Sequence, residues 1–120
     1  MIEVRLKDHS QAFSFASANN CGEKGALFAV YDQHNPVSKF PIESIFDVTQ
    51  HVEMKDKPEK HMTVSVLLKG SVAPIKNSSA FKTESTDKFF VIYIDAENKV
   101  IVKRYPLSNI VLIQEDYNSN

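Results

Sequence analysis

Apolar and polar residues alternate at a two-residue period in IEVRLKD (2–8) and VSVLLKG (64–70), each ending in a Lys before a turn residue. That is the spacing of a strand with one buried face. In FFVIYID (89–95) both alternating sets are apolar, with Phe89, Val91 and Tyr93 on one side and Phe90, Ile92 and Ile94 on the other. Such a strand has no face to give to water, so it is expected at the centre of a sheet. DAENK (95–99) carries turn residues and leads into VIVKRY (100–105), which predicts a hairpin with a loop of four or five residues. Two segments are ambiguous. DHSQAFSFASANNCG (8–22) reads either as a helix capped by Asp8 or Ser10 or as a strand with Phe13 and Phe15 on one face, and NSSAFKTESTDK (77–88) poses the same choice.

A second pattern lies over the first. VKRYPLSNIVLI (102–113) is echoed by VSKFPIESIFDV (37–48), with Val, Pro and Ile identical at 37/102, 41/106 and 45/110. Each copy follows an apolar strand and a turn, ALFAVYDQHNPV (26–37) and FFVIYIDAENKV (89–100), and the second turn needs two additional residues to keep both aligned. Proline has no N–H and a fixed φ, so no ladder can run unbroken through Pro106. The phrase therefore reads as a corner, in which the chain bends at Tyr105-Pro106, makes a single 3₁₀ turn at Leu107-Ser108 and resumes as a strand. Self-similarity at a period near 62 to 65 residues suggests an internal duplication.

The expected fold is accordingly mainly β, in two internally repeated modules that resemble small SH3-like barrels, where a 3₁₀ turn precedes the last strand; one or two short helices can be accommodated. The first module spans residues 1–53 and the second 62–115. MKDKPEK opens a linker or exposed loop over 54–61, and 116–120 form a disordered tail; the two modules can pack as one composite domain.

Size and composition fit this picture. A chain of 120 residues with 42% apolar and 24% charged content can bury a core without metals or disulfides. Its formal net charge of −1, split as four Lys/Arg against seven Asp/Glu up to Met54 and ten against eight beyond it, offers no strong field for a polyanion. The single cysteine and the absence of a signal-like leader in MIEVRLKDHSQ lead us to expect a reducing, cytoplasmic setting. No apolar run approaches a bilayer span, so no membrane role is expected.

Candidate chemistry is sparse. Cys21, beside Lys24 and with His9 or His34 as base, is the one conceivable nucleophile, but no local signature surrounds it. His51, Glu53 and His61 lack the tight spacing of a metal site, and no phosphate-cradling glycine motif occurs, so neither metal nor cofactor is expected. The acids Asp95 and Glu97 sit in the predicted turn, where solvation explains them.

What remains is a surface. Lys39, Phe40, Lys99, Lys103, Arg104 and Tyr105 form the candidate partner-binding set, the cations for phosphates and the aromatics for stacking. The leading expectation is a non-enzymatic protein-binding module, an adaptor, regulator or inhibitor, docking through strand edges and through SANNCGEKG (17–25), DQHNP (32–36) and an outer KVIVKRY (99–105) strand. The alternative is a single-stranded nucleic-acid binder using the basic and aromatic patch. The oligomeric state is left open.

Overall fold

Strands dominate, as the alternation predicts. The computed structural model describes residues 1–117, and these are mainly β, in two antiparallel sheets with no closed barrel. The strands are β1 (Ile2–Leu6), β2 (Phe13–Phe15), β3 (Asn20–Lys24), β4 (Leu27–Tyr31), β5 (Ser38–Pro41), β6 (Ile45–Val52), β7 (Met62–Leu68), β8 (Ile75–Ser85), β9 (Phe89–Ala96), β10 (Lys99–Pro106) and β11 (Ile110–Tyr117). Eight of them form one sheet in the order β11-β7-β8-β9-β10-β6-β1-β2, and β3-β4-β5 form the other. Residues 118–120, part of the expected tail, lie outside the described residues, while Asp116 and Tyr117 belong to β11.

Both proline corners are 3₁₀ turns, Ile42–Ser44 and Leu107–Asn109, and their backbones nearly coincide, with Pro41 at φ −57°, ψ 127° and Pro106 at φ −57°, ψ 131°. Each corner is tied down twice. Ile42 N–H donates to Ala26 O (2.9 Å) and Leu107 N–H to Lys88 O (2.8 Å); Lys7 N–H donates to Ser44 O (2.9 Å) and Lys69 N–H to Asn109 O (2.8 Å). The first pair of bonds shows that the second hairpin is longer by three residues rather than two, because β9 and β10 are each longer than their counterparts β4 and β5. Pairings correspond as well: β1 pairs with β2 and β6 as β7 pairs with β8 and β11, and β4 pairs with β3 and β5 as β9 pairs with β8 and β10.

Neither ambiguous segment is helical: 8–22 holds the short β2 and the start of β3 with turns between, 77–85 belongs to β8, and among the described residues the only helical turns are the two corners. The period-two pair Phe13 and Phe15 decides the first case, since both rings pack on Phe40 with centroids 5.6 and 6.1 Å away. A helix would have separated them by 200° of rotation. Residues 77–85 continue β8, and the chain then turns at Thr86, whose hydroxyl accepts from Phe89 N–H at 3.0 Å.

The hairpin after β9 is tighter than predicted. The ladder runs on to Ala96↔Lys99, leaving Glu97 and Asn98 as a two-residue turn. Glu97 takes a left-handed φ of 63°, unfavourable for a side chain. The connector between β6 and β7 holds it there. Lys57 Nζ donates to Glu97 O and Asp95 Oδ1, and at 3.3 Å to Lys99 O, while His61 Nε2 lies 3.1 Å from Asp95 Oδ2. The hydrogen bond from the Lys57 ammonium, against the opposing desolvation, holds the Asp95 carboxyl below the usual range. The exposed loop expected at 54–61 is thus anchored at its middle.

As its sequence requires, β9 lies between β8 and β10. Its two faces serve different interiors. Phe89 and Val91 join Val100 and Val102 of β10 in a core with Ile2, Val4, Phe28, Val30, Ile45 and Val48; Phe90 and Ile92 join Tyr105 in a core with Val64, Val66, Leu68 and Ala80. Each such fully buried aliphatic or aromatic side chain contributes about 1.5–3 kcal/mol relative to exposure. The first core therefore draws on both halves of the chain.

Candidate functional site

The six candidate residues do not form one surface. They divide according to the pairing of β10, which lies between β9 and β6 rather than at an edge, with Lys103 opposite Thr49 and Arg104 opposite Val48. KVIVKRY is thus an inner strand, and its backbone is already paired on both sides.

Lys103 and Tyr105 share one face of β10, and Lys103 reaches the fully buried Asp47 of β6. Lys103 Nζ donates to Asp47 Oδ2 at 2.9 Å and to Thr49 Oγ1 at 2.8 Å. From the other side, Arg5 of β1 presents its guanidinium as a fork, with Nε 2.7 Å from Asp47 Oδ1 and Nη2 on Oδ2, and lies 5.0 Å from the centroid of the Phe46 ring. Burial by itself would raise the Asp47 carboxyl, but the hydrogen bonds from Arg5 and Lys103 outweigh it and hold the group below its ordinary range. Tyr105 is completely buried, and burial together with the Asp47 charge pushes its phenol up to about 12. Its hydroxyl makes no hydrogen bond among the described residues. The Lys103 charge is consumed by this cluster, and the Tyr105 ring has no face open to a base.

Arg104 faces the other way. Its Nη1 donates to Gln50 Oε1 at 2.8 Å, and Gln50 Nε2 donates in turn to Asn19 O at 3.0 Å. Cys21 of β3 points to the same Gln50 oxygen, with Sγ 3.7 Å away. Burial pushes the Cys21 thiol up, against the pull of Arg104, the opposite of what an activated nucleophile needs. Of its three expected helpers, His9 lies edge-on to Phe13 (5.8 Å), Lys24 lies over Tyr31 (5.8 Å), and His34 sits in the exposed turn after β4. A cleft of about 400 Å³ opens beside Cys21 and Arg104, but Glu23, Glu84 and Asp87 line it too, so its field is not that of a phosphate site.

Phe40 is buried in the first core, Lys99 sits at the clamped hairpin turn, and Lys39 is exposed on β5. Of His51, Glu53 and His61, His61 is engaged with Asp95 and His51 lies within β6 opposite Ile101; among the described residues no group of three or more His, Cys, Asp or Glu side chains converges.

Sequence reading missed two features. One is Asp47 itself, whose only sign was a charge inside the apolar run IFDV. The other is the free edge at β11, where Val111 is 59% and Leu112 48% exposed next to a register shift against β7. Among the described residues the remaining free edges are β2, β3 and β5. SANNCGEKG supplies β3, and DQHNP is an exposed turn closed by Asn35 N–H on Asp32 O at 3.0 Å. Between the two corners lies a cleft of about 470 Å³ with Leu27, Pro41, Ile42 and Leu107 along it and Glu43, Asp87 and Lys88 at its rim. No helix among the described residues is long and apolar enough to cross a membrane. No protein-family model, curated protein or solved structure matches this chain.

Proposed function

We propose that this chain is a non-enzymatic protein-binding module, an adaptor, regulator or inhibitor, that takes a strand of its partner onto the free edge of β11. The observation that carries this reading is the edge itself: eight residues with one side unpaired and two large aliphatic side chains, Val111 and Leu112, standing in water. Exposed edges of this kind are normally blunted by charge or a covering element, and the apolar first half of β11, ahead of Gln114, Glu115 and Asp116, is a template for strand addition.

We further infer that the halves are two copies of one SH3-like unit. Support comes from burial at corresponding positions, where Ile2 and Val64, Val4 and Val66, Ala18 and Ala80, Phe28 and Phe90, and Phe40 and Tyr105 are all interior. The matched pairings and corner bonds point the same way.

The nucleic-acid alternative has less behind it. Phe40 and Tyr105 are interior and Lys103 is neutralised by Asp47, which leaves Lys39, Lys99 and Arg104 as scattered cations.

Affinity capture from the native host with the wild-type chain and with Leu112→Lys tests the assignment, with Leu107→Lys on the corner cleft as control. A protein recovered with wild type and control but lost with Leu112→Lys is the expected result. A partner retained equally by all three overturns the edge assignment, and recovery of RNA or DNA whose amount falls steeply with salt supports the alternative instead.

A further inference from the structure

The seam between the halves shows which strands fit one another. There, β6, the strand after the first corner, pairs antiparallel with β10, the strand before the second corner, with Val48 opposite Arg104 and Thr49 opposite Lys103. The counterparts of these two strands are β11 and β5, and both are free sheet edges. We propose that they meet between molecules, β11 of one chain pairing antiparallel with β5 of a second copy, with Ile113 opposite Lys39 and Gln114 opposite Ser38. This rests on reading β11 as a docking edge and the halves as counterparts, and it names the occupant.

Charge carries the register further. At the seam the diagonal pair is Arg104 and Gln50, joined at 2.8 Å. Transposed by 65 residues, the same diagonal joins Lys39 to Glu115, an opposite-charge pair. Both residues are exposed in the single chain, where Glu115 accepts from Thr83 Oγ1 of β8 (2.6 Å) and from Tyr117 Oη (2.9 Å).

Apolar exposure agrees. The outer face of β9 and β10 bears Phe89 and Val102, which the first half covers. At the corresponding positions before the first corner stand Leu27 and Val37, both exposed, as are Val111 and Leu112 on the facing strand. Pro36 stands where Ile101 continues the seam, so the contact between copies has fewer rungs than β6–β10 and is correspondingly weak. Because it joins unlike surfaces, it builds rings or open chains whose size grows with concentration.

Sedimentation velocity of the full chain at rising protein concentration tests the proposal. The expected result is a mass that climbs above the monomer. Lys39→Glu and Glu115→Lys should each weaken association at least about tenfold, and combining both reversals in one chain should restore it, which a folding defect would not do. A chain monomeric at every concentration, or association indifferent to either reversal, overturns the proposal. If the monomeric chain still captures a partner through Leu112, self-pairing alone is refuted and strand addition at β11 stands.

Discussion

VSKFP and VKRYP begin alike and end in corners of the same geometry, yet β10 is gripped on both sides while β5 is paired on one side only. The aromatic before each proline is buried in both places. The basic residues before it differ: Lys103 is drawn onto a buried carboxylate and Arg104 onto Gln50, whereas Lys39 stands in water. Local sequence set the bend, and the neighbour across the ladder set what the side chains do. That neighbour is β6 for β10, and among the described residues there is none for the outer side of β5.

The sharpest way to break the comparison is at the aromatics. Tyr105→Ala and Phe40→Ala should each cost about 3–5 kcal/mol, as truncation of a buried ring does. Tyr105→Ala should fall at the upper end, because Phe40 keeps a little exposure beside Phe13. Urea midpoints measure the difference, and an equal or reversed ranking would contradict it.

Next in size is Asp47→Asn, which removes the charge that Arg5 and Lys103 share. Breaking a fully buried pair costs about 3–5 kcal/mol; about 2–3 is expected here, because Arg5 is half exposed and solvent screens its share. The pH dependence has a definite sign. The folded Asp47 carboxyl titrates below its unfolded value near 3.8, so its contribution is fully present above that pH and is lost as pH falls through the folded value. Wild type should therefore lose stability in acid more steeply than Asp47→Asn below about pH 4. Parallel curves would show that other carboxylates dominate.

The smallest effect separates the two lysines. Lys103→Met should cost about 1–2 kcal/mol, since it strips a charged hydrogen bond from Asp47. Lys39→Met should stay within about 0.5 kcal/mol in the monomer. Thermal melts at low protein concentration report both.

These contrasts also mark what was legible in the sequence. Prolines at 41 and 106 act through their own missing N–H, and FFVIYI through its own two apolar faces, so corners and central strand could be read locally. The turn at Glu97 could not, because it depends on Lys57, forty residues earlier. The basic patch failed for the same reason. Lys103 looks like a surface cation until Asp47, 56 residues away, is placed beside it. Residues 8–22 carried signals of both kinds, and Phe40, a distant partner, resolved them toward strand.

Strand β9 has one last consequence. Its Phe89 and Val91 close one interior while Phe90 and Ile92 close the other. Unravelling the C-terminal part of the chain would strip the N-terminal part of a wall, and freeing the N-terminal part would bare two large side chains of β9 to water. Denaturation should accordingly follow a single sigmoid, with fluorescence and circular dichroism tracing the same transition.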